Sequence, residues 1–215
     1  MGCFLMYKEG FGNMPNKDKV RSILDEAFKK NPGRWIIHSH IIGKTAEKIA
    51  KEIRLDPEIA YACGTLHDIG KGYGCKDLAH MMEGYRTLRF DSYFFPAKIA
   101  LAHGFVTDDI DSYHGKNNLS ERDNEFLIAF LKKREIDPYM RLIILLDNLI
   151  GEEYLGLYKR ESQRNIKFDA KRTERMEILT KWQSDLENRL EKPIEAYLPR
   201  PRYYKYPYNL FRNVK

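Results

Sequence analysis

The dipeptide His67-Asp68 follows the apolar run YACGTL and precedes a stretch with glycines at 70, 72 and 74. Imidazole nitrogen and carboxylate oxygen together form a ligand set that suits Fe, Mn, Co, Ni or Zn. Consecutive helical residues diverge by about 100°, but a helix end followed by glycine lets both side chains turn toward one ion. A His-Asp pair alone is a weak signal, so the hypothesis of a metal site depends on partners elsewhere in the chain.

Helix periodicity separates two nearby histidines, because residues three, four, seven and eight positions apart share a helix face. From His38 these steps reach apolar or small residues, which are Ile41, Ile42, Thr45 and Ala46. From His40 they reach a mostly charged set, which is Gly43, Lys44, Glu47 and Lys48. The pattern therefore predicts that His38 points into the core and that His40 faces solvent. A buried histidine is either a hydrogen-bonded core residue or a ligand, and both interpretations of His38 stay open on this pattern alone.

Asp147 lies in the apolar segment RLIILLDNLIG, where Ile143, Ile144 and Ile150 share its helix face. A carboxylate on such a face is costly unless it is paired or binds a metal. Arg141, a histidine or backbone groups are the alternatives that would satisfy it without a metal. Asp147 is therefore a candidate ligand whose partner is not identified by the pattern.

The elements that must position these residues are predicted to be helical nearly throughout. Asn16, the Asp56-Pro57-Glu58 run and Ser120 each place a capping side chain at the start of a helix. The predicted helices cover about 16–30, 34–54, 57–68, 77–90, 96–103, 120–134, 138–150 and 170–197. Residues 105–119 are predicted to form a polar loop, and no alternating strand pattern of useful length is found.

The fold class predicted from this pattern is all-α, a helical bundle of about seven to nine helices. Its predicted parts are an N-terminal extension at 1–15, a core at 16–160, a C-terminal helix at 161–198 that packs on the core, and a basic, tyrosine-rich tail at 199–215. The length of 215 residues suffices for one domain with its own core and a short tail.

Together these segments resemble the HD superfamily of metal-dependent phosphohydrolases. The resemblance rests on WIIHSHIIGKTAEKIA, then YACGTLHDIGK, then RLIILLDNLIG, and it extends over about residues 18–151. The ordered signature of that superfamily, His, then His-Asp, then Asp, maps onto His38, His67, Asp68 and Asp147. The resemblance implies an HD-domain helical bundle in which these four residues hold a metal ion, with hydrolysis of a phosphate as the activity.

Two further histidines fit a version of this site that has two metal ions. His80 starts one predicted helix and His103 ends another, and both lie between the His-Asp pair and the final Asp. The branch that hydrolyses diadenosine tetraphosphate symmetrically is similar in length and in this order of ligands. That likeness implies that Asp68 bridges two ions and that His80 and His103 help to hold the second; otherwise both are ordinary helix-end histidines.

Lys71 and His114 are the predicted contacts of the substrate. Lys71, three residues after Asp68, would place an ammonium beside the transferring phosphate, and with Asp68 it is assigned a catalytic role. The alternative is a surface lysine. His114 lies in the polar loop, where it is either solvated or faces the substrate.

The charge pattern confines the basic character to the C-terminal tail. The formal net charge is +6, but five basic and no acidic residues lie between Ala196 and Lys215, so the rest of the chain is nearly neutral. The tail is expected to pack its tyrosines on the domain or on a partner subunit, which leaves a homodimer open. Nucleic-acid binding or a contribution to a neighbouring active site is the alternative.

Composition also bears on the cellular location. Three cysteines without a CxxC pair argue against a disulfide framework and fit a reducing cytoplasm. No stretch approaches the roughly 18 to 20 apolar residues that a membrane span needs. The chain is therefore expected to be cytoplasmic and to have no membrane partner.

Three function classes follow from these residues and from the resemblance. The favoured class is a phosphohydrolase or phosphodiesterase that acts on a nucleotide-like small molecule through a metal-activated water. Its expected cofactor is a pair of divalent transition-metal ions, first iron or manganese, with nickel, cobalt, zinc or magnesium as alternatives. The other classes are a di-iron oxygenase, since the HD scaffold also hosts inositol-oxygenase-like chemistry, and a non-catalytic nucleotide-binding module.

Overall fold

A computed structural model of the chain describes residues 5–163 and 170–199, and most of this part is helical. Nine α-helices are found within those residues, which confirms the predicted all-α class. They are α1 Lys17–Lys30, α2 Trp35–Glu52, α3 Pro57–Leu66, α4 Asp77–Phe90, α5 Phe94–Ala102, α6 Glu121–Lys133, α7 Pro138–Leu149, α8 Gly156–Ser162 and α9 Ala170–Leu190. Apart from Pro199, the predicted tail at 199–215 lies outside the described residues.

A short hairpin precedes the first helix, contrary to the expectation of no strand. Strand β1, Leu5–Lys8, pairs antiparallel with strand β2, Gly12–Pro15. Each strand has four residues, which is too short for an alternating pattern to be recognised. Met14 is fully buried, and the Phe11 ring centroid lies 4.7 Å from that of Phe95. The hairpin is therefore packed against α5 rather than extended into solvent.

The helices begin where the capping signals predict. The Asn16 and Asp56 side chains accept backbone N–H groups from the first turns of α1 and α3, and Ser120 does the same for α6. Pro57 and Pro138 occupy the first positions of α3 and α7, where the missing N–H costs nothing. Capping side chains and proline therefore fix where α3 and α7 begin, and these two helices position the candidate ligands His67 and Asp147.

The largest departures from the predicted bounds lie in the C-terminal part. Helix α9 ends at Leu190 rather than near Tyr197, because Glu191 adopts a φ of 54° and Pro193 follows. Beyond it, Ile194–Tyr197 forms a separate 3₁₀ turn. Helix α8 was not predicted, since its seven residues are too few for a periodic pattern.

The main hydrophobic core lies between α2, α3, α5 and α7, with fully buried side chains such as Ile42, Leu66 and Ile143. A smaller cluster, which includes Met81 and Leu127, lies between α4 and α6. None of the helices in the described ranges combines the length and the hydrophobicity that a bilayer-spanning segment needs.

Two glycines let α2 and α3 cross with their backbones in contact. A Cβ atom on Gly43 would lie 2.0 Å from Thr65 Oγ1, and one on Gly64 would lie 2.9 Å from the Gly43 Cα. A larger side chain at either position would force the helices apart. The crossing brings His38 on α2 toward His67 at the end of α3, so that their ring centroids are 5.1 Å apart.

A third glycine sets the distance between α4 and the 3₁₀ segment Ile69–Tyr73. A Cβ atom on Gly70 would lie 1.9 Å from the His80 carbonyl oxygen and 2.7 Å from the Gly84 nitrogen. Both atoms belong to the backbone and cannot move independently of the helix. The close approach places Asp68, directly before the segment, beside His80.

We predict that Gly70→Ala destabilises the protein by about 2–4 kcal/mol, because the added methyl group overlaps the α4 backbone. Gly84→Ala is the matched control, since its Cβ would meet neighbours at 3.4 Å and alanine favours the helix by about 1 kcal/mol. Urea unfolding of both variants measures the difference. Equal stability of Gly70→Ala and the wild type would contradict the proposed close packing.

A second prediction concerns Asp56, whose Oδ2 lies 2.7 Å from Lys8 Nζ. Burial alone would raise the pKa of Asp56, but Lys8 and the two capping N–H groups hold it below its ordinary value of 3.8. A lowered folded-state pKa stabilises the fold above pH 3.8, and this contribution disappears as the pH falls through the folded-state pKa. Asp56→Asn keeps a capping oxygen and loses the ion pair, so we expect it to cost about 0.5–1 kcal/mol at neutral pH.

The same variant is expected to cost less at a pH below 3.8 than at neutral pH, because the folded carboxyl loses its charge as the pH falls through its lowered pKa. Urea unfolding at the two pH values is the measurement. Lys8→Met removes this ion pair together with the one to Glu58 Oε2, 3.0 Å from Lys8 Nζ, and should therefore lose at least as much at neutral pH. A cost of Asp56→Asn that is equal at both pH values would show that the ion pair is not its source.

Candidate metal centre

Five helices and the segment after α3 bring six side chains into one buried group, which we call the His-Asp cluster. Its members are His38 on α2, His67 at the end of α3, Asp68 directly after it, His80 on α4, His103 at the end of α5 and Asp147 on α7. All six are buried, and Asp68 is only 1% exposed. All the residues that the sequence suggested as metal ligands therefore lie together.

Asp68 lies at the centre of the cluster, and its two oxygens face different imidazoles. Oδ1 is 3.1 Å from His80 Nε2 and 3.5 Å from His103 Nε2. Oδ2 is 3.5 Å from His67 Nε2 and 4.0 Å from His38 Nε2. The four histidines are thus divided into two groups that share one carboxylate.

The outward nitrogen of every histidine in the cluster lies beside a backbone carbonyl oxygen. The Nδ1 contacts are His38 with Gly151 at 3.0 Å, His67 with Gly64 at 2.7 Å, His103 with Ala100 at 2.9 Å, and His80 with Asp77. A carbonyl oxygen can only accept, so each Nδ1 carries the proton and donates it. In the neutral ring each Nε2 then presents a lone pair to the cluster, which is the form in which imidazole binds a metal.

The atoms that face inward are therefore hydrogen-bond acceptors. The Nε2 atoms of His80 and His103 are 3.4 Å apart. In the described part of the chain, the buried His67 Nε2 and Asp68 Oδ1 have no hydrogen-bond partner. Burial lowers the pKa of His67 to about 3 and also lowers the pKa of His80, so protons do not supply the missing positive charge at neutral pH. These nitrogen and carboxylate donors are compatible with a divalent metal ion.

Lys71 contributes a positive charge next to the central carboxylate. Its Nζ lies 2.5 Å from Asp68 Oδ2. Burial alone would raise the pKa of Asp68, but Lys71 and the neighbouring imidazoles hold it well below its ordinary value. Asp68 is therefore ionised, as a metal ligand must be.

Asp147 is held by one expected and one unexpected partner. Its Oδ1 lies 3.0 Å from His38 Nε2 and 3.4 Å from Arg160 Nη2, and Arg160 Nε donates to its backbone oxygen at 3.1 Å. Arg141, the arginine suggested by the sequence, lies instead over the ring of Trp182 at 5.1 Å from its centroid. Arg160 was missed because it is thirteen residues away on α8, with no helical spacing to connect it to Asp147.

The cluster opens into a cavity of about 370 Å³, which we call the first cavity. Both predicted substrate contacts, Lys71 and His114, line this cavity. The His114 ring lies beside Tyr113, with ring centroids 4.8 Å apart. The cavity volume falls within the range of small-molecule sites, about 300–1,000 Å³.

Trp35 and Arg160 also line the first cavity and were not predicted to do so. Trp35 lies three positions before His38 and therefore shares its helix face, which was an available signal. The Trp35 indole N–H donates to the Asn31 carbonyl oxygen at 3.1 Å, which fixes the plane of the ring. The cavity thus has an aromatic wall and a guanidinium beside the His-Asp cluster.

His40 does not join the cluster, but the prediction that it faces solvent is wrong. It is half-buried, and its helix neighbours Gly43 and Glu47 are buried as well. Burial and the charge of Lys44 lower the pKa of His40 to about 4. The charged residues on this face suggested exposure, but Glu47 is paired with Lys17 and Lys44 within the fold.

A mainly helical fold that brings four imidazoles and two carboxylates into one buried group defines a class of helical proteins whose centre is compatible with a divalent metal ion. Residues 35–151, more than half of the chain, match the model of the HD domain family, and the chain belongs to this family. Membership implies metal-dependent phosphohydrolase activity in general.

Ribonuclease Y of Mycoplasmoides gallisepticum is similar to the chain, with 25% identity over 179 residues. The match covers 72% of this chain and 30% of that protein, so the chain spans less than a third of the relative's length. No solved structure gave a significant match to the chain.

We predict that His38→Ala lowers the bound metal and that His40→Ala, the matched control two residues away, does not. His38 Nε2 faces Asp147 and Asp68 within the cluster, whereas His40 is outside it. The loss of one ligand should weaken metal affinity at least about tenfold. Elemental analysis after dialysis against a weak chelator measures this, and equal metal content in the two variants would contradict it.

Proposed function

We propose that this chain is a metal-dependent phosphohydrolase or phosphodiesterase that hydrolyses a phosphate ester or anhydride of a nucleotide-like small molecule. The observation that carries the proposal is the convergence of four imidazoles and two carboxylates beside a cavity lined by Lys71 and Arg160. Imidazole and carboxylate groups of this kind bind a divalent metal ion. The positively charged side chains of the cavity wall can bind a phosphate. Family membership supports the general activity.

We assign the metal ligands in two groups. His38, His67, Asp68 and Asp147 would hold one divalent ion, and His80 and His103 would hold a second, with Asp68 shared by both. The two Asp68 oxygens, which face separate histidine pairs, support this division. We expect iron or manganese, since mixed imidazole and carboxylate sets suit these ions; nickel, cobalt, zinc and magnesium are the alternatives to test.

The chemistry that such ions supply when bound is a nucleophilic water at neutral pH and neutralised phosphoryl oxygens. The chain's own residues would do the rest. Lys71, whose ammonium lies beside Asp68 and lines the cavity, would attract and orient the phosphate. Arg160 holds the Asp147 carboxylate in position through its side-chain and backbone contacts. His114, which also lines the cavity, would contact the organic part of the substrate.

A second candidate function is hydrolysis of RNA, and the similarity to Ribonuclease Y favours it. RNA contains the same phosphodiester chemistry as small nucleotides, so the cluster itself serves both. The first candidate is preferred because the charge of the chain is nearly neutral outside the C-terminal tail, whereas RNA binding relies on many phosphate contacts.

The free thiols of Cys63 and Cys75 support a reducing, cytoplasmic location. A cytoplasmic nucleotide pool would supply the proposed substrates. The proposed reaction needs water and no redox partner, so it is compatible with that compartment.

The test is a substrate panel after removal of metal and reloading with single divalent ions. The panel contains 5′-nucleotides, dinucleoside polyphosphates, cyclic dinucleotides, bis-p-nitrophenyl phosphate and single-stranded RNA. We expect chelation to abolish turnover and one of the ions to restore it. Oxygen consumption with the iron-loaded protein, in place of phosphate hydrolysis, would instead assign a di-iron oxygenase.

We further predict that Asp68→Ala abolishes activity and metal binding together, because this carboxylate contacts both groups of histidines. A loss of about a thousandfold or more in kcat/KM is expected for a bridging ligand. Asp185→Ala, an exposed aspartate on α9, is the matched control and should keep both properties. Wild-type turnover by Asp68→Ala would refute the assignment of this site.

A further inference from the structure

A second cavity, of about 610 Å³, adjoins the His-Asp cluster on the side of His38 and Gly151. The first cavity is lined by His80 and His103. Three residues, Trp35, Lys71 and Arg160, line both cavities. The two cavities therefore meet at these three side chains, directly beside the cluster.

Two positively charged side chains, Lys71 and Arg160, line the junction of the cavities. Lys71 Nζ contacts the buried Asp68, while Arg160 contacts the buried Asp147. Both side chains remain partly exposed, at 35% for Lys71 and 22% for Arg160, and line the cavities with donors to spare. A phosphate bound at the junction would meet two cations and lie next to the candidate metal ligands.

The outer part of the second cavity has a different character. Glu152 and Glu153 line it, and Arg34 is paired with Glu152 rather than free for an anion. Leu155 and Gln163 complete this part of the wall. Glu153 is likewise paired with Lys159 at 3.5 Å, so the ionised side chains of this part of the wall are already neutralised, and it suits an uncharged organic group better than a further phosphate.

On the basis of the proposed function, we propose that the substrate is a phosphodiester with an uncharged organic group on each side of the phosphorus. The phosphate lies at the junction between Lys71 and Arg160, and each cavity receives one substituent. Trp35, whose ring is fixed by its bond to Asn31, provides a flat surface on which a nucleobase stacks.

The proposed step is hydrolytic and exchanges no electrons. The water oxygen forms a bond to phosphorus while the bond from phosphorus to one ester oxygen breaks. The displaced oxygen takes the proton that the water loses, so the products are an alcohol and a phosphomonoester. A monoester substrate would leave one of the two cavities filled with water, and a polyphosphate chain would bring anions toward Glu152 and Glu153.

The test compares adenylyl-adenosine, a dinucleoside monophosphate, with AMP and with diadenosine tetraphosphate on the metal-loaded full chain. We expect kcat/KM for adenylyl-adenosine to exceed that for AMP by about a hundredfold and to exceed that for the tetraphosphate. Equal or faster hydrolysis of AMP or of the tetraphosphate would overturn the inference and leave the proposed function standing. Absence of hydrolysis of every phosphate substrate would refute both.

Variants that fill the second cavity give an independent readout. Leu155→Trp and the more exposed Gln163→Trp should lower kcat/KM for adenylyl-adenosine at least about tenfold and leave that for AMP within about twofold. Activity on AMP in the same preparation reports on folding and metal content. Tyr158→Trp, at an exposed position of α8 that lines neither cavity, is the matched control. An equal loss on both substrates in the two filling variants would overturn the inference.

Discussion

The constraint on which the centre of this protein depends is that too many hydrogen-bond acceptors meet at Asp68. Four imidazole Nε2 atoms lie within 4.0 Å of its two oxygens, and each imidazole has already donated its proton elsewhere. Lys71 supplies a nearby positive charge on this carboxylate. An arrangement of this kind is unfavourable by itself, so its retention in a buried core indicates a site made for a cation.

The histidines are oriented in two ways, which have different structural requirements. His67 and His103 each donate Nδ1–H to the carbonyl three residues earlier, at the end of their own helices, and His80 does so at the start of α4. These three orientations are properties of the local helix. His38 instead donates to Gly151, beyond the end of α7. Its orientation therefore requires the packing of α2 against α7, which the glycine-mediated crossing of α2 and α3 helps to set.

Capping residues and the periodicity of apolar residues made many helix starts and the buried position of the candidate ligands predictable from the sequence. Caps such as Asp56 and proline at the first position fix where helices start, and apolar periodicity identified His38 and Asp147 as buried polar residues. Contacts between distant elements were not predictable. Glu47 forms ion pairs with lysines on two helices, so the helix face that its charges suggested was exposed to solvent is partly buried. The hydrogen bond from Arg160 to Asp147 joins two helices, and no periodicity within either helix could have indicated it.

The position of Asp147 depends on residues of the C-terminal helices α8 and α9. Arg160 on α8 binds its side chain and backbone, and the next residue, Asn148, accepts a hydrogen bond from the buried Arg175 on α9. Burial lowers the pKa of Arg175, although the carboxylates of Glu161 and Asp147 partly oppose this effect. A buried guanidinium is expensive unless nearby anions compensate it. The C-terminal helices therefore do more than cover the core: they place the positive charges of Arg160 and Arg175 near the Asp147 carboxylate, which faces His38.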